Sequence, residues 1–337
     1  MNVAVVHYAY LTGEWEPKLR LQLDRYQASG LLDYCKNFYL VVTDTNNNPA
    51  LIESLVQNYN NITLEYYSNN NLFEYYSISR IKNLVEEDPN LAILYFMLKG
   101  NTNNSYRNIS KKILSLEKKQ SVDSFVEMLE YILIDQWRSC LQKIQEGYDI
   151  VGVNKVHAQW YGNCWWSQSK YLQYNEKLTF NPESDSRWKC ELWLMMSNPR
   201  HSLPSTKFYE FFSFWADNYY TSFPKFLYDN TDRKTLKFRV IKAYYGYFAE
   251  AQHEISPLRG DLNIVYDVTE DLQTIFDQYC EDKIKLKISY DEMFDNKYIY
   301  HDKRLKIYYS VNIDPTNVYV MSSLPTTKEI EAGKIEI

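Results

Sequence analysis

The fold follows first from the stretch Val3-Ala-Val-Val-His-Tyr8, a run of the kind that forms a strand buried on both faces. Similar runs lie downstream at Phe38–Val42, Ile62–Tyr67, Leu91–Phe96 and Tyr148–Val153. Segments with helical periodicity separate these runs, at Lys18–Ser29, Leu51–Tyr59, Tyr75–Val85 and Asp123–Glu146. This alternation predicts an α/β fold in which a mostly parallel sheet is flanked by helices.

The sequence changes character near Pro257. Short segments with two-residue alternation then predict strands at Asp261–Tyr266, Lys283–Tyr290 and Arg304–Val311. We therefore assign residues 1–255 to the α/β domain and residues 256–337 to a small β-rich domain. The aromatic-rich segment Lys207–Ala251, which lies between these two parts, is expected to be helical.

Composition and charge exclude several classes of protein. The net charge is −6 and no basic run is longer than Lys118–Lys119, so binding to a nucleic acid backbone is not expected. No stretch approaches the roughly 18 apolar residues of a membrane-spanning helix, and the first residues do not read as a signal peptide. The five Cys are widely spaced, which is typical of reduced thiols, and the His residues show no zinc spacing, so no metal site is predicted.

The densest group of aromatic residues lies between Trp160 and Tyr171, where three Trp and two Tyr surround the pair Gly162-Asn163. An aromatic core explains any one of these rings. Trp165 and Trp166, however, are adjacent, and successive side chains of a strand face opposite ways. One of the two rings is therefore expected to meet a helix layer or an open cleft.

Arg187 and Glu191 are four residues apart, so on a helix they share one face. Two interpretations stay open for this pair. It is either a surface ion pair worth less than about 1 kcal/mol, or Glu191 is a general base whose carboxylate is oriented by Arg187 and Trp193.

Ligands of open α/β sheets bind at the carboxyl ends of the strands. The candidate binding residues are therefore those that close the predicted strands: His7, Tyr8, Thr43, Asp44, Lys99, Gly100 and Asn154.

Several motifs together resemble a known family. Leu94-Tyr-Phe-Met-Leu-Lys-Gly100 is similar to a strand-end motif Leu-Tyr-Phe-His-Thr-Lys-Gly. Trp137-Arg138, Gly162-Asn-Cys-Trp-Trp166 and Arg187-x-x-x-Glu191-x-Trp193 follow it in order. The set resembles predicted glycosyltransferases of the GT-A type, found in bacteria and large DNA viruses, over roughly residues 1–215.

The resemblance implies transfer of a sugar from a nucleoside diphosphate to a glycan, a glycoconjugate or another hydroxyl acceptor, in the cytoplasm, or in the host cytoplasm if the chain is viral. The donor would be bound by His7, Tyr8, Thr43, Asp44, Lys99 and Gly100. The sugar and acceptor pocket would be shaped by Arg138, Asn154, Gly162, Asn163, Trp165 and Trp166. Glu191 would be the catalytic base of an inverting reaction, with Arg187 beside it.

Two departures from the family pattern affect this interpretation. Met97 stands where the motif has His, so that an expected site residue is missing. The Asp-x-Asp that holds a divalent metal in most GT-A enzymes is absent from the end of the fourth strand, and Lys99 would neutralise the diphosphate there as a point charge. The alternative is Mn²⁺ or Mg²⁺ held by carboxylates such as Asp44 or Asp149.

Other functions stay open. The first is a catalytically silent carbohydrate-binding protein, which the Met97 departure favours. The second is a transferase that uses a nucleotide without a sugar, and the third is a structural scaffold. Dinucleotide and P-loop chemistry are disfavoured because no Gly-x-Gly-x-x-Gly follows Val3–Tyr8 and no Gly-x-x-x-x-Gly-Lys is present.

Overall fold

The computed structural model describes a defined set of residues: 1–68, 72–98, 122–156, 159–181, 185, 187–211, 222–223, 225, 238–246, 265–279, 287–289, 304–311, 319–323 and 334–336. The chain divides into two compact units. The first contains Met1–Ser105 and Leu129–Ser213, and the second contains Tyr106–Met128 and Phe214–Ile337. The boundary predicted between residues 255 and 256 lies outside the described residues.

The first unit contains a seven-stranded sheet in the order β3-β2-β1-β4-β8-β5-β9. Its strands are β1 Asn2–Tyr10, β2 Asn37–Asp44, β3 Ile62–Ser68, β4 Leu91–Met97, β5 Ile150–Gly152, β8 Trp165–Gln168 and β9 Phe208–Glu210. The two-residue strands β6 Lys155–Val156 and β7 Gln159–Trp160 form a separate hairpin.

The helices of this unit connect the strands. They are α1 Trp15–Ala28, α2 Leu31–Tyr34, α3 Pro49–Val56, α4 Tyr75–Glu87, α6 Trp137–Gln145, α7 Ser169–Leu172, α8 Trp188–Glu191 and α9 Trp193–Met196. Residues 122–130 form helix α5, which continues as a π-helical segment at Tyr131–Asp135. In the described part of the chain, no helix has the length and apolar character needed to cross a membrane.

The sheet is mixed but mostly parallel, which confirms the predicted α/β fold. Strands β1, β2, β3 and β4 pair in parallel, whereas β8 is antiparallel to both β4 and β5. The central strands β1 and β4 are buried along almost their whole length, because helices cover both faces of the sheet. This is the physical reason why these strands appear in the sequence as unbroken apolar runs.

The direction of the strands gives the sheet two distinct edges. Strands β1 to β5 and β9 all end at one of them, which we call the carboxyl edge, and the antiparallel strand β8 begins there. The opposite edge, which we call the amino edge, contains the starts of the parallel strands and the end of α1. There the backbone N–H of Lys36, just before β2, donates to the carbonyl oxygen of Val3 at 2.8 Å.

The described part of the second unit contains an antiparallel sheet in the order β11-β10-β13-β14. Its strands are β10 Phe238–Gly246, β11 Val265–Asp267, β13 Arg304–Val311 and β14 Tyr319–Ser323. Helix α10, Thr269–Tyr279, adjoins β10. Strands β12 Lys287–Ser289 and β15 Lys334–Glu336 pair with each other.

The helical prediction for Lys207–Ala251 is wrong at Phe208–Glu210 and at Phe238–Gly246, which form the strands β9 and β10. In β10, Val240 and Ala243 are buried, and an irregularity in the pairing at Ile241 lies between them. Aromatic and β-branched residues favour such a pleated, half-buried surface. The aromatic content of this segment was therefore a strand signal.

Candidate functional site

The sheet order reverses at the carboxyl edge between β1 and β4. The chain builds outward from β1 through β2 and β3, and then returns to place β4 on the other side of β1. Open α/β sheets bind their ligands in the crevice at such a switch point. The backbone N–H of Leu98 donates to the carbonyl oxygen of Tyr8 at 2.8 Å, so the two strand ends are held together. Lys99 and Gly100 follow immediately, but lie outside the described residues.

His7 lies in the core and does not reach the crevice, so its predicted contact with a donor is wrong. The ring is fully buried, its Nδ1 lies 3.2 Å from the Tyr26 hydroxyl, and it stacks near Phe96 with ring centroids 5.9 Å apart. Burial lowers the pKa of His7 to about 3. The prediction failed because β1 extends to Tyr10, two residues beyond the predicted end of the strand.

Tyr8 and Thr43 meet at the carboxyl edge, although both are buried. Burial raises the pKa of the Tyr8 hydroxyl. The backbone N–H of Leu11 donates to the carbonyl oxygen of Thr43 at 2.9 Å. This bond fixes the ends of β1 and β2 to each other, and it places Tyr8 and Thr43 beneath the carboxyl edge of the sheet.

Asp44 closes β2 and organises the turn that follows it. Its Oδ1 accepts from the Asn46 N–H at 2.8 Å, and its Oδ2 accepts from the Asn48 N–H at 2.9 Å and from the Tyr66 hydroxyl at 2.8 Å. Burial raises the pKa of Asp44, but the bonds from Asn48, Tyr66 and Asn46 outweigh this effect and hold it below its ordinary value. Both carboxylate oxygens are occupied within the protein, which gives Asp44 a structural role.

The pair Gly162-Asn163 forms a tight turn at the carboxyl edge, directly before β8. Both residues have positive φ, 66° for Gly162 and 52° for Asn163. Gly and Asn are the residues that adopt this left-handed conformation most readily. The backbone N–H of Tyr161 donates to the carbonyl oxygen of Asn154 at 2.9 Å, which joins the turn to the end of β5. The structure thus brings Asn154, Gly162 and Asn163 to the predicted edge.

Trp165 and Trp166 lie on opposite faces of the sheet, and both are fully buried. The Trp165 ring lies 5.3 Å from that of Tyr95, between centroids, and the Nε1 of Trp166 donates to the carbonyl oxygen of Leu133 at 3.0 Å. The prediction that these two rings form the wall of an open pocket is wrong. The Trp166 ring packs against the π-helical segment, and the Trp165 ring packs against a residue of the neighbouring strand β4.

Arg138 lies at the amino edge, so its predicted place in the sugar and acceptor pocket is also wrong. Its Nη1 donates to the carbonyl oxygen of Ser29 at 3.3 Å, and the guanidinium lies 4.3 Å over the Trp137 ring. Trp137 donates to the same carbonyl at 3.0 Å. Ser29 directly follows the last residue of α1. From there the chain leads to the start of β2, which lies at the amino edge. Trp137 and Arg138 therefore anchor the end of α1.

Glu191 is a partly exposed carboxylate beside the carboxyl edge. Its Oε2 accepts from the Nε2 of Gln159 at 3.2 Å, and its Oε1 lies 3.4 Å from the Nε of Arg187. Gln159 belongs to the β6–β7 hairpin, which follows the carboxyl end of β5. The side chain of Glu191 is 18% exposed and that of Arg187 is 52% exposed, so solvent reaches both groups.

Helix α8, which carries Glu191, is held beside the β3–α4 connection. The Sγ of Cys190 lies 4.0 Å from the carbonyl oxygen of Leu72, and the Cys190 side chain also bonds to the backbone of Glu74. Trp193 does not orient Glu191 as predicted. Its Nε1 donates to the carbonyl oxygen of Glu176 at 2.9 Å, and its ring is buried, so it fixes α9 in place.

The two carboxylates considered for a metal lie at opposite edges of the sheet. Asp44 ends β2, whereas Asp149 directly precedes β5 and is bound by Gln168 at 3.0 Å and by the Lys207 N–H at 2.9 Å. Asp44 and Asp149 therefore do not fit a shared metal. Among the described residues, no cluster of three or more His, Cys, Asp or Glu side chains is arranged to hold a metal ion.

Sequence reasoning missed two residues of this edge, Gln159 and Trp188. Gln159 had no pattern that could have marked it, because only the hairpin brings it to Glu191. Trp188 lies inside the Arg187-x-x-x-Glu191 motif and is 49% exposed. Its three-residue spacing from Glu191 was a signal for a shared helix face. No protein-family model matches the chain, and a comparison with curated proteins finds no match either.

Proposed function

We propose that this protein is a GT-A-like glycosyltransferase that moves a sugar from a nucleoside diphosphate to a glycan or another hydroxyl acceptor. The observation that carries the proposal is the position of Glu191, a solvent-reached carboxylate at the carboxyl edge of an open α/β sheet. Asp44 and Asp149, by contrast, are buried and bonded within the protein. A base for an acceptor hydroxyl needs a carboxylate that the acceptor can reach, close to the place where the donor binds.

In the proposed inverting reaction, the acceptor oxygen attacks the anomeric carbon of the donor sugar. A new carbon–oxygen bond forms, and the bond from the anomeric carbon to the diphosphate oxygen breaks. The electron pair of that bond leaves with the diphosphate, and the acceptor proton moves to Glu191. Arg187 holds one oxygen of the carboxylate, which keeps the group oriented.

The donor is placed at the switch point between β1 and β4. Tyr8 and Thr43 lie beneath this edge of the sheet, and Lys99 with Gly100 is assigned to the diphosphate. A Lys ammonium neutralises a diphosphate as a point charge, and a Gly allows close approach of the backbone. Asn154, Gly162 and Asn163 border the same edge and are assigned to the sugar. The β-rich C-terminal domain is given an accessory role.

The test combines thermal shift with donor hydrolysis across a panel of nucleotide sugars, with and without Mn²⁺. A ligand that binds only the folded state raises the melting temperature by mass action. We expect one nucleotide sugar to stabilise the protein and to be turned over. Glu191→Gln should bind this donor with similar affinity and turn it over about 10²- to 10⁴-fold more slowly.

The matched control is Glu146→Gln. Glu146 also accepts from a glutamine, Gln142 at 3.0 Å, and pairs with a cation, Lys143 at 2.8 Å, but it follows α6 near the start of β5. This variant should keep full turnover. Equal turnover in wild type and Glu191→Gln would remove Glu191 as the base. If no nucleotide sugar binds at all, the transferase proposal fails.

A catalytically silent carbohydrate-binding protein is the second candidate, and Met97 favours it. This residue closes β4 at the switch point, where the similar family has His, and its side chain is largely buried. A thioether cannot exchange protons with a substrate, so this position carries no acid–base chemistry. Sugar binding without turnover of any donor would support this candidate.

A further inference from the structure

We infer that Trp188, together with Arg187, forms a stacking platform that holds a sugar ring of the acceptor glycan beside Glu191. This inference rests on the proposed function and names the acceptor subsite of the same site. It starts from one juxtaposition: the Arg187 guanidinium lies 5.2 Å from the centre of the Trp188 ring, while its Nε lies 3.4 Å from the Oε1 of Glu191. One guanidinium therefore connects the ring to the carboxylate.

Trp188 is the most exposed of the Trp residues that the structure describes in the first unit. Its exposed fraction is 49%, whereas Trp137, Trp160, Trp165, Trp166 and Trp193 are all buried. Trp is enriched at binding interfaces because its ring combines a large apolar face with one polar N–H group. Trp188 and Glu191 are three residues apart on α8, so they share one side of this helix.

The chemistry around the ring favours a carbohydrate over other occupants. A sugar presents an apolar face of C–H groups that suits the flat indole, and a rim of hydroxyls that need both donors and acceptors. Arg187 supplies donors, Glu191 supplies an acceptor, and Gln159 already bonds to Glu191 at 3.2 Å. An entirely apolar partner would take these charged and polar groups out of contact with water and offer them no new hydrogen bonds, which is costly. The phosphates of a nucleic acid would be repelled by Glu191.

The backbone beside α8 also departs from common geometry. Phe73 has a φ of 53°, which is rare for a bulky residue. Its ring lies 5.9 Å from that of Phe180, between centroids, and Tyr75 also packs near Phe180. Unusual backbone conformations of this kind cluster at binding and active sites. Because Leu72 contacts Cys190, this aromatic group lies next to the helix that carries the platform.

The platform predicts how the acceptor and the donor respond to mutation. Trp188→Ala removes the stacking surface but touches neither the base nor the switch point. We expect the KM for the acceptor to rise at least tenfold, while kcat and the hydrolysis of the donor by water stay within about twofold. Trp188→Phe keeps a flat ring and should restore most of the acceptor affinity.

The experiment measures glycan binding without donor, so that it does not depend on turnover. The full chain is applied to a printed glycan array, and the soluble form of the strongest ligand is then titrated against wild type, Trp188→Ala and Trp188→Phe. The matched control is Tyr174→Ala. Tyr174 is 46% exposed, and the Arg200 guanidinium lies 4.8 Å from the centre of its ring. This residue lies just after the end of α7, however, and not on α8.

The outcomes separate this inference from the proposed function. A tenfold or larger loss of glycan affinity in Trp188→Ala, with Trp188→Phe and Tyr174→Ala close to wild type, supports the platform even if no donor is turned over. If donor is hydrolysed but Trp188→Ala binds glycan as wild type does, the platform is overturned and the transferase stands. If no glycan on the array binds, Trp188 has another occupant, such as a protein partner, and the inference is overturned.

Discussion

The indole of Trp160 covers Gly152 so closely that no larger residue fits at that position. A Cβ built on Gly152 would overlap the Cε3 atom of Trp160 and lie 2.7 Å from its Cζ3 atom. Gly152 is the last residue of β5, and Trp160 belongs to the hairpin that carries Gln159. This contact therefore sets the position of the hairpin that binds Glu191.

Gly152→Ala should destabilise the protein by about 1–3 kcal/mol, because the added methyl group overpacks the site. It should also weaken any activity that depends on Glu191, since the hairpin must shift. Urea unfolding measures the first effect. Trp160→Leu removes the ring. In this background, the free energy of unfolding that Gly152→Ala removes should fall by more than half. An unchanged cost in that background would show that Trp160 is not the cause.

His7 should make the protein sensitive to acid. The pKa of His7 is about 3 in the folded state, because the ring is buried, and about 6.5 when unfolded. Between these values the unfolded chain binds a proton that the folded protein does not bind, so the free energy of unfolding falls as pH falls, by up to about 1.4 kcal/mol per pH unit. His7→Phe should remove this part of the slope between pH 6 and pH 4.

The measurement is a series of urea titrations of wild type and His7→Phe over this pH range. Loss of the bond to Tyr26 lowers the stability of the variant at every pH, so the slopes and not the absolute values are compared. Equal slopes for the two proteins would mean that His7 is accessible to protons in the folded state.

Asp44 should stabilise the turn after β2 only while it is ionised. Asp44→Asn turns an amide towards the donors of Asn48 and Tyr66, and should cost about 1–3 kcal/mol at pH 7. Since the pKa of Asp44 is lowered in the folded state, its contribution is present above the unfolded value of about 3.9 and is lost as the pH falls below it. The difference between wild type and variant should therefore shrink below pH 4.

Tyr66→Phe serves as the control for this prediction. It removes one of the bonds to Asp44 and leaves the backbone donors in place, so it should cost less than Asp44→Asn. A larger cost for Tyr66→Phe than for Asp44→Asn would contradict the assignment of Asp44 as the centre of the turn.

Lys82 should be required for the packing of α7 against α4. Its Nζ donates to the carbonyl oxygen of Asn175 at 2.7 Å and lies 3.4 Å from those of Leu172 and Gln173, and burial lowers the pKa of this ammonium. Lys82→Met keeps the volume but leaves these carbonyls without the charge, and should lower the melting temperature by several degrees. Lys177→Met, at an exposed ion pair with Glu86, should have little effect.

Arg138 tests whether the proposed site lies only at the carboxyl edge of the sheet. Because this residue lies at the amino edge, Arg138→Ala should leave donor turnover and glycan binding unchanged. If Arg138→Ala lost turnover but kept its stability, Arg138 would belong to the proposed active site. Its assignment to the amino edge would then be contradicted.

The sequence by itself determined which segments become the main strands and which side chains share a local face. Runs such as those of β1 and β4 are read directly, because a strand buried on both faces must be apolar throughout. The pairing of Arg187 with Glu191 follows from the helical period in the same way.

Only the tertiary structure decided which motif belongs to which edge of the sheet, and which polar groups stay free. His7 and Arg138 looked like site residues, but one is covered by α1 and the other holds the end of that helix. Gln159 carried no local signal and is nevertheless bonded to Glu191. The physical reason is that sequence periodicity fixes only local geometry. The edge that a residue occupies depends on the direction of crossovers, and its exposure depends on neighbours brought from distant parts of the chain.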